Sequence, residues 1–163
     1  MIDVNVNESP MVALRTPNPD FAVRVRESFA RQAFMTHIGA VLTEVEAGRC
    51  EIVLPYREEL TQQHGFFHGG VIGTLADNAC GYAAFTLAPA DASILTVEYK
   101  MNIVSPGDGD RLVARAKVVR PGRSLVVCQA DIHAEKNGSE KLVATALGTL
   151  MLMHGRDDGP NVY

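Results

Sequence analysis

Apolar residues recur at every fourth position near the start of the chain and at every second position over most of the rest. Phe21, Val25, Phe29 and Ala33 form one four-residue stripe, while Arg24, Arg26, Glu27 and Arg31 fall mostly elsewhere. With Asp20 as a cap, this predicts a helix of about 14 residues, Phe21 to Phe34, that docks by its apolar face. From Ile38 the period becomes two. Residues 38–47 and 49–55 therefore read as paired strands joined across Gly48, the second stopped by Pro55. Residues 57–63 are polar and fit a helical turn. Residues 71–85 are mostly apolar and contain no proline, and Pro89 follows them. About 69–87 thus reads as one helix of roughly four to five turns. Alternation returns in 92–105, 111–119, 124–135 and 140–153, separated by Pro106-Gly107, Pro121-Gly122 and Asn137-Gly138.

Strands that follow one another across short turns form an antiparallel sheet. A helix that is apolar nearly all round must be buried, and a sheet curved around it does this. The predicted class is α+β, an antiparallel β-sheet wrapped around one long central α-helix. Gly73, Ala76, Ala79, Cys80, Gly81, Ala83 and Ala84 let the sheet approach that helix closely, at some expense in helix propensity. Residues 1–35 read as an N-terminal extension with a short helix, 1–18 being a loose polar leader. The folded domain spans 36–155, and 156–163 are a C-terminal tail.

Composition narrows the function. A chain of 163 residues and 17.6 kDa is one domain, with no room for a separate dinucleotide-binding unit. Hydrophobic residues at 47% and charged residues at 21% exclude disorder as the main state. A net charge of −4, 6% aromatics and no Trp give a nucleic-acid partner no support. No basic segment leads into an apolar run, and no apolar run approaches about 20 residues, so neither a secretory signal nor a membrane span is expected. Cys50, Cys80 and Cys128 lack zinc-type or CxxC spacing and read as reduced core thiols in a cytoplasmic protein.

Two features suggest chemistry. Asp77 lies inside Val71-Ile72-Gly73-Thr74-Leu75-Ala76-Asp77-Asn78-Ala79-Cys80. Its carboxylate is either exposed on a narrow polar stripe with Thr74, Asn78 and Gly81, or buried with a partner. His68-Gly69-Gly70 stands at the helix start, where the first N–H groups have no internal acceptor and carry the positive end of the dipole. Glycine lets a ligand come close enough for these groups to polarise a carbonyl. The plainer alternatives are an ordinary surface Asp, and glycines that only shape the turn into the helix. His68 is either a histidine bonded to its own loop or a general base. Gly69 and Asp77 are eight residues apart, about 12 Å along the axis. Within one subunit they cannot act on the same atom. If they cooperate, the site joins the helix start of one chain to the Asp of another. His64 and His68 invite a metal, but Gly65 and Gly69-Gly70 argue against the helix that would align them, so none is expected. Ser93 and Ser124 sit in no nucleophile elbow, and no Walker loop or GxGxxG is present. Arg120, Arg123 and Lys117 are either a solvated edge or a contact for ligand phosphates.

The string Gln63-His64-Gly65-Phe66-Phe67-His68-Gly69-Gly70, followed by Leu75-Ala76-Asp77, resembles the hotdog-fold acyl-CoA thioesterases of the phenylacetate-degradation type. Thr96-Val97-Glu98-Tyr99-Lys100-Met101-Asn102, Val119-Arg120-Pro121-Gly122-Arg123-Ser124-Leu125 and Val143-Ala144-Thr145-Ala146-Leu147-Gly148-Thr149 support it, over about 36–153. The resemblance implies dimers with a continuous sheet, often tetramers, and hydrolysis of an acyl- or aryl-CoA thioester without metal or cofactor. It implies Asp77 as nucleophile or general base, with the Gly69 N–H polarising the carbonyl across the dimer interface and Gly70 nearby. Thr96 lies where relatives orient water. Gln62 lies where some relatives have Asn near the carbonyl, with Gln63 as the neighbouring alternative. Phe67, Asn78, Arg120 and Arg123 are further candidates for substrate contact. Phe66, Phe67, Tyr82 and Phe85 fit either an apolar acyl pocket or the core. The competing readings are a non-catalytic acyl-CoA-binding or regulatory module and a structural oligomerisation domain.

Overall fold

A computed structural model of the chain describes residues 14–156 and 158–159. Most of the expected leader and the rest of the tail lie outside the described residues. The stripe near the start forms two helices rather than one. Helix α1 (Phe21–Ala30) ends where Arg31 and Gln32 donate to Ser28 and Phe29 carbonyls, and α2 (Ala33–Ile38) follows. This corrects both the single helix to Phe34 and the strand expected from Ile38. Met35 and Ile38, three apart, are both buried, which suits a helical turn. Gly39 then closes α2 at φ 81°, a left-handed conformation that glycine adopts freely. Val25, Ser28 and Phe29 form the buried face of α1. Arg24 also faces inward: its guanidinium donates to the Pro89 carbonyl at 2.6 Å and to the Ala92 carbonyl, and lies 4.3 Å from the centre of the Phe85 ring.

Strands β1 (Val41–Glu46) and β2 (Arg49–Pro55) form the hairpin across Gly48, and a single 3-10 turn spans Glu58–Leu60. The apolar segment is one helix, α3 (Gly69–Phe85). Strands β3 (Ala92–Ile103), β4 (Arg111–Arg120), β5 (Leu125–Lys136) and β6 (Ser139–His154) follow. All pairings are antiparallel, in the order β1-β2-β4-β5-β6-β3, so β1 and β3 are the sheet edges. The sheet wraps α3, which contacts β2 through β6.

Small side chains set the spacing. Ala116, Ala130 and Ala146 stand opposite one another on β4, β5 and β6, a buried lane beneath the helix. A Cβ on Gly73 would meet the Tyr99 hydroxyl at 3.0 Å, and one on Gly148 would meet Cys80 Cβ at 3.5 Å. Leu75, Ala79 and Ala83 are fully buried against the sheet. Among the described residues, no helix is long and apolar enough to cross a membrane.

All three cysteines are free and buried. Burial pushes the Cys50 and Cys128 thiols from 9.0 up to about 12, and raises Cys80 as well. Ionisation therefore occurs first in the unfolded chain. These thiols leave stability unchanged below about pH 9 and remove it as pH rises toward 12, by up to about 1.4 kcal/mol per pH unit for each. Urea titrations at about pH 8 and about pH 10 should show the loss, and Cys50→Ala with Cys128→Ala should lessen it.

Candidate active site

Asp77 sits on the side of α3 that faces edge strand β3. Its carboxylate is half-buried, and the Thr96 hydroxyl donates to Oδ1 at 2.7 Å. This contact depends on a β-bulge. The β3–β6 register shifts between Thr96 and Glu98, so Val97 is the extra residue. In a regular strand Thr96 and Tyr99 would point to opposite faces. With the bulge both reach α3, Thr96 at Asp77 and Tyr99 at Gly73, one turn apart on the same helix face. No hydrogen bond among the described residues uses Asp77 Oδ2. The carboxylate opens on a cavity of about 250 Å³ whose wall includes Asn78, Tyr82, Thr96, Leu150 and Gln32.

At the start of α3, His68 is the N-cap. Its Nδ1 accepts the Gly70 N–H at 2.9 Å, and its carbonyl accepts the Val71 and Ile72 N–H groups at 3.0 and 3.1 Å. The Nδ1 lone pair is therefore engaged in capping, which is the loop-bonded alternative for this histidine. Three of the helix's first four N–H groups are satisfied. That of Gly69 has no acceptor among the described residues. The loop before it is pinned by Phe67 N–H to the Gly107 carbonyl and His68 N–H to the Leu60 carbonyl, both at 2.9 Å. Gly69 begins a regular helix that contains Asp77, so the spacing of about 12 Å along the axis stands.

Other candidates fall elsewhere. Gln62 Oε1 accepts the His64 N–H, and Gln62 also brackets a turn through Gly65, at φ 79°. Gln63 is exposed, with Nε2 3.4 Å from His64 Nε2. Asn78 lines the cavity, but its Nδ2 turns back to the Thr74 carbonyl at 3.1 Å. Phe67 is in the core, 2% exposed and edge-on to Tyr56, not in the cavity with Asp77. Arg120 and Arg123 are exposed around the β4–β5 turn. Cross-strand partners Val126, Leu150 and Thr96 place that turn at the Thr96 end of the sheet. Among the described residues, no three His, Cys, Asp or Glu side chains are grouped to hold a metal ion.

The sequence reading missed Ser28 and Gln32 of the N-terminal extension and Asp158 of the tail, all of which line the cavity. Gln32 Nε2 donates to the Tyr82 hydroxyl at 2.8 Å, and Ser28 Oγ lies 3.3 Å from the same oxygen. Arg31 pairs with Asp158 at 2.6 Å. One signal was present: Ser28 sits within an otherwise apolar helix face, between Val25 and Phe29.

The sequence profile of the thioesterase superfamily matches residues 64–141, which contain both the helix start and Asp77. A crystal structure of a thioesterase family protein from Silicibacter pomeroyi is 47% identical, covers 83% of this chain and 99% of its own, and superposes with a TM-score of 0.82. The 1,4-dihydroxy-2-naphthoyl-CoA hydrolase of Listeria monocytogenes is 27% identical over 119 residues, 73% of this chain and 94% of that protein. The PaaI protein from the phenylacetic acid degradation operon of E. coli shares the fold, with a TM-score of 0.76 over 86% of this chain and 98% of its own at 21% identity.

The cap and base roles of His68 separate by substitution. His68→Ala should lower stability by about 1 kcal/mol in urea titration. His68→Asn, which also caps, should restore most of it and keep turnover. A stable His68→Asn protein without turnover would instead place the imidazole in the chemistry.

Proposed function

The chain belongs to the thioesterase superfamily, and we propose that it hydrolyses an acyl- or aryl-CoA thioester to the free acid and CoA at a site shared between two subunits. The observation that carries this reading is Asp77, held through one oxygen by Thr96, on a helix whose first N–H is unoccupied about 12 Å away. The Gly69 N–H of one subunit donates to the thioester oxygen as it gains negative charge, helped by the dipole of α3. Asp77 of the other subunit supplies the oxygen chemistry. Either its carboxylate attacks the carbonyl carbon and water then cleaves the mixed anhydride, or it takes a proton from the water that attacks. In both routes the C–S bond breaks, the thiolate gains a proton, and the acid retains an oxygen that originates in water. Arg120 and Arg123 lie at the same end of the sheet as Thr96, where they serve the CoA phosphates.

The edge strand supports the two-subunit arrangement. β3 is 12 residues long and pairs on one side only. Leu95, Val97, Tyr99 and Ile103 are all exposed along it. A long apolar edge of this kind is a template for pairing with a second chain. Pairing β3 with β3 of another copy continues the sheet and sets the two α3 helices side by side.

Asp77→Asn should fold normally and lose about 10²–10⁴-fold in kcat, read as thiol release from a panel of CoA esters. Gly69→Pro deletes the N–H yet keeps the helix start, since Pro suits the first helical position and His68 is already extended at ψ 140°. It should also be inactive. Unfolded together and refolded as a mixture, the two inactive variants should recover about a quarter of wild-type turnover, because half the dimers are mixed and each then holds one intact site. No recovery would overturn the shared site.

A further inference from the structure

Phe66 belongs neither to the core cluster nor to the cavity beside Asp77. It lines a second cavity, of about 310 Å³, where the concave face of the sheet runs past the start of α3. The two cavities share no lining residue. Leu150 borders the one at Asp77 and Lys141 borders this one, which sets them roughly 30 Å apart along β6.

The floor of this cavity is apolar, formed by Phe66, Pro106 and Ala134. Its walls are fastened. Lys136 donates to both oxygens of Asp108, at 2.8 and 2.9 Å, and the Asp110 N–H donates to the Glu135 carbonyl at 2.7 Å. Both oxygens of Glu140, on the rim, accept from Arg115 at 2.7 Å. Lys141 differs from these. It is the cross-strand partner of Ala134, so its side chain leaves the sheet on the cavity side. Its ammonium has no acceptor among the described residues, and neither does the Ser139 hydroxyl on the same rim. An apolar floor beneath one uncommitted cation and one hydroxyl suits a ligand with an apolar body and a single negative charge.

The cavity also touches the loop that sets the helix start. Phe66 stands three residues before Gly69, and Pro106 precedes Gly107, whose carbonyl accepts the Phe67 N–H at 2.9 Å. This clasp has no slack, because a Cβ on Gly107 would meet Phe67 Cβ at 3.0 Å. A molecule seated between Phe66 and Pro106 presses on both halves of the clasp, and through it on the Gly69 N–H. A misplacement of about 1 Å in a reacting geometry can cost about 10²-fold in rate.

We propose that this cavity is a second site, for a small apolar monocarboxylate held by Lys141 and Ser139, and that its occupation slows turnover by displacing Gly69. The effect on turnover rests on the thioesterase reading, while the binding does not. The acid released by thioester hydrolysis belongs to this ligand class. The product thus restrains the enzyme from a place remote from the carboxylate that forms it.

Calorimetry on the full chain compares benzoate and hexanoate with benzamide and hexanamide. The carboxylates should bind about tenfold tighter than the amides. Lys141 is exposed, so Lys141→Gln should fold. It should erase that preference, and Lys141→Arg should keep it. Thiol release from a panel of CoA esters is followed in parallel. Saturating carboxylate should lower kcat about tenfold with little change in KM. Lys141→Gln should match the wild type without carboxylate and ignore its addition. No binding, or a preference unmoved by Lys141→Gln, would overturn the site. Inhibition that only raises KM would put the acid at Asp77 and overturn the restraint, as would release indifferent to a carboxylate bound through Lys141. A carboxylate bound through Lys141 with no release from any ester would sink the hydrolase reading and leave the site standing.

Discussion

Burying α3 requires a sheet backbone to pass close to a helix that is apolar nearly all the way round. Side-chain size sets that distance. The lane of Ala116, Ala130 and Ala146 is how the sheet closes, and Gly73 leaves room for the Tyr99 hydroxyl. Each helical glycine works against this, by about 1 kcal/mol relative to alanine. The exchange favours closure because α3 contacts five strands, and each fully buried aliphatic side chain returns about 1.5–3 kcal/mol.

The same closure decides where polar chemistry can occur. The sides of α3 facing β2, β4 and β5 are sealed by apolar packing. Its polar positions, Thr74, Asp77 and Asn78, fall where the sheet runs out at β3. A carboxylate here is half-buried, enough to be held by Thr96 and still open to a cavity. The bulge at Val97 makes this workable, since it turns Thr96 toward Asp77 without turning Tyr99 away from Gly73. The bulge leaves Val97 on the outside, 54% exposed, on one of the two sheet edges. The Thr96–Asp77 contact and the outward position of Val97 thus share one local irregularity.

Legibility in the sequence followed the range of the interactions. Strand alternation and the unalternating helix are local, and β2, α3 and the later strands lie close to where the pattern put them. The break between α1 and α2 was hidden, because Met35 and Ile38 fit a helical turn within a stretch that also reads as alternation. Asp77 and the glycines of the helix start stood out by residue type and spacing. Their surroundings did not. That Thr96 meets Asp77 requires a bulge that alternation cannot reveal. That Phe67 belongs to the core is decided by Tyr56 and Gly107, both remote in sequence. The cluster on Tyr82 joins residues 50 and 54 positions apart, and a serine on an apolar stripe was its only trace.

The distance between the helix start and Asp77 is itself a design constraint. The positive end of a helix acts over about its first turn, and its N–H groups take the nearest acceptor offered. A carboxylate placed within that turn would become a cap, with its oxygens engaged. His68 shows this outcome, because its Nδ1 is held by the Gly70 N–H. Setting Asp77 two turns further in leaves its second oxygen without a hydrogen bond among the described residues, and it also sets Asp77 about 12 Å from the Gly69 N–H that the proposed mechanism assigns to the oxyanion. Under the proposed mechanism one chain cannot bring both groups to the same atom. Two chains can, if each lends its helix start to the other, and the unpaired apolar edge of β3 is where such an exchange is geometrically available.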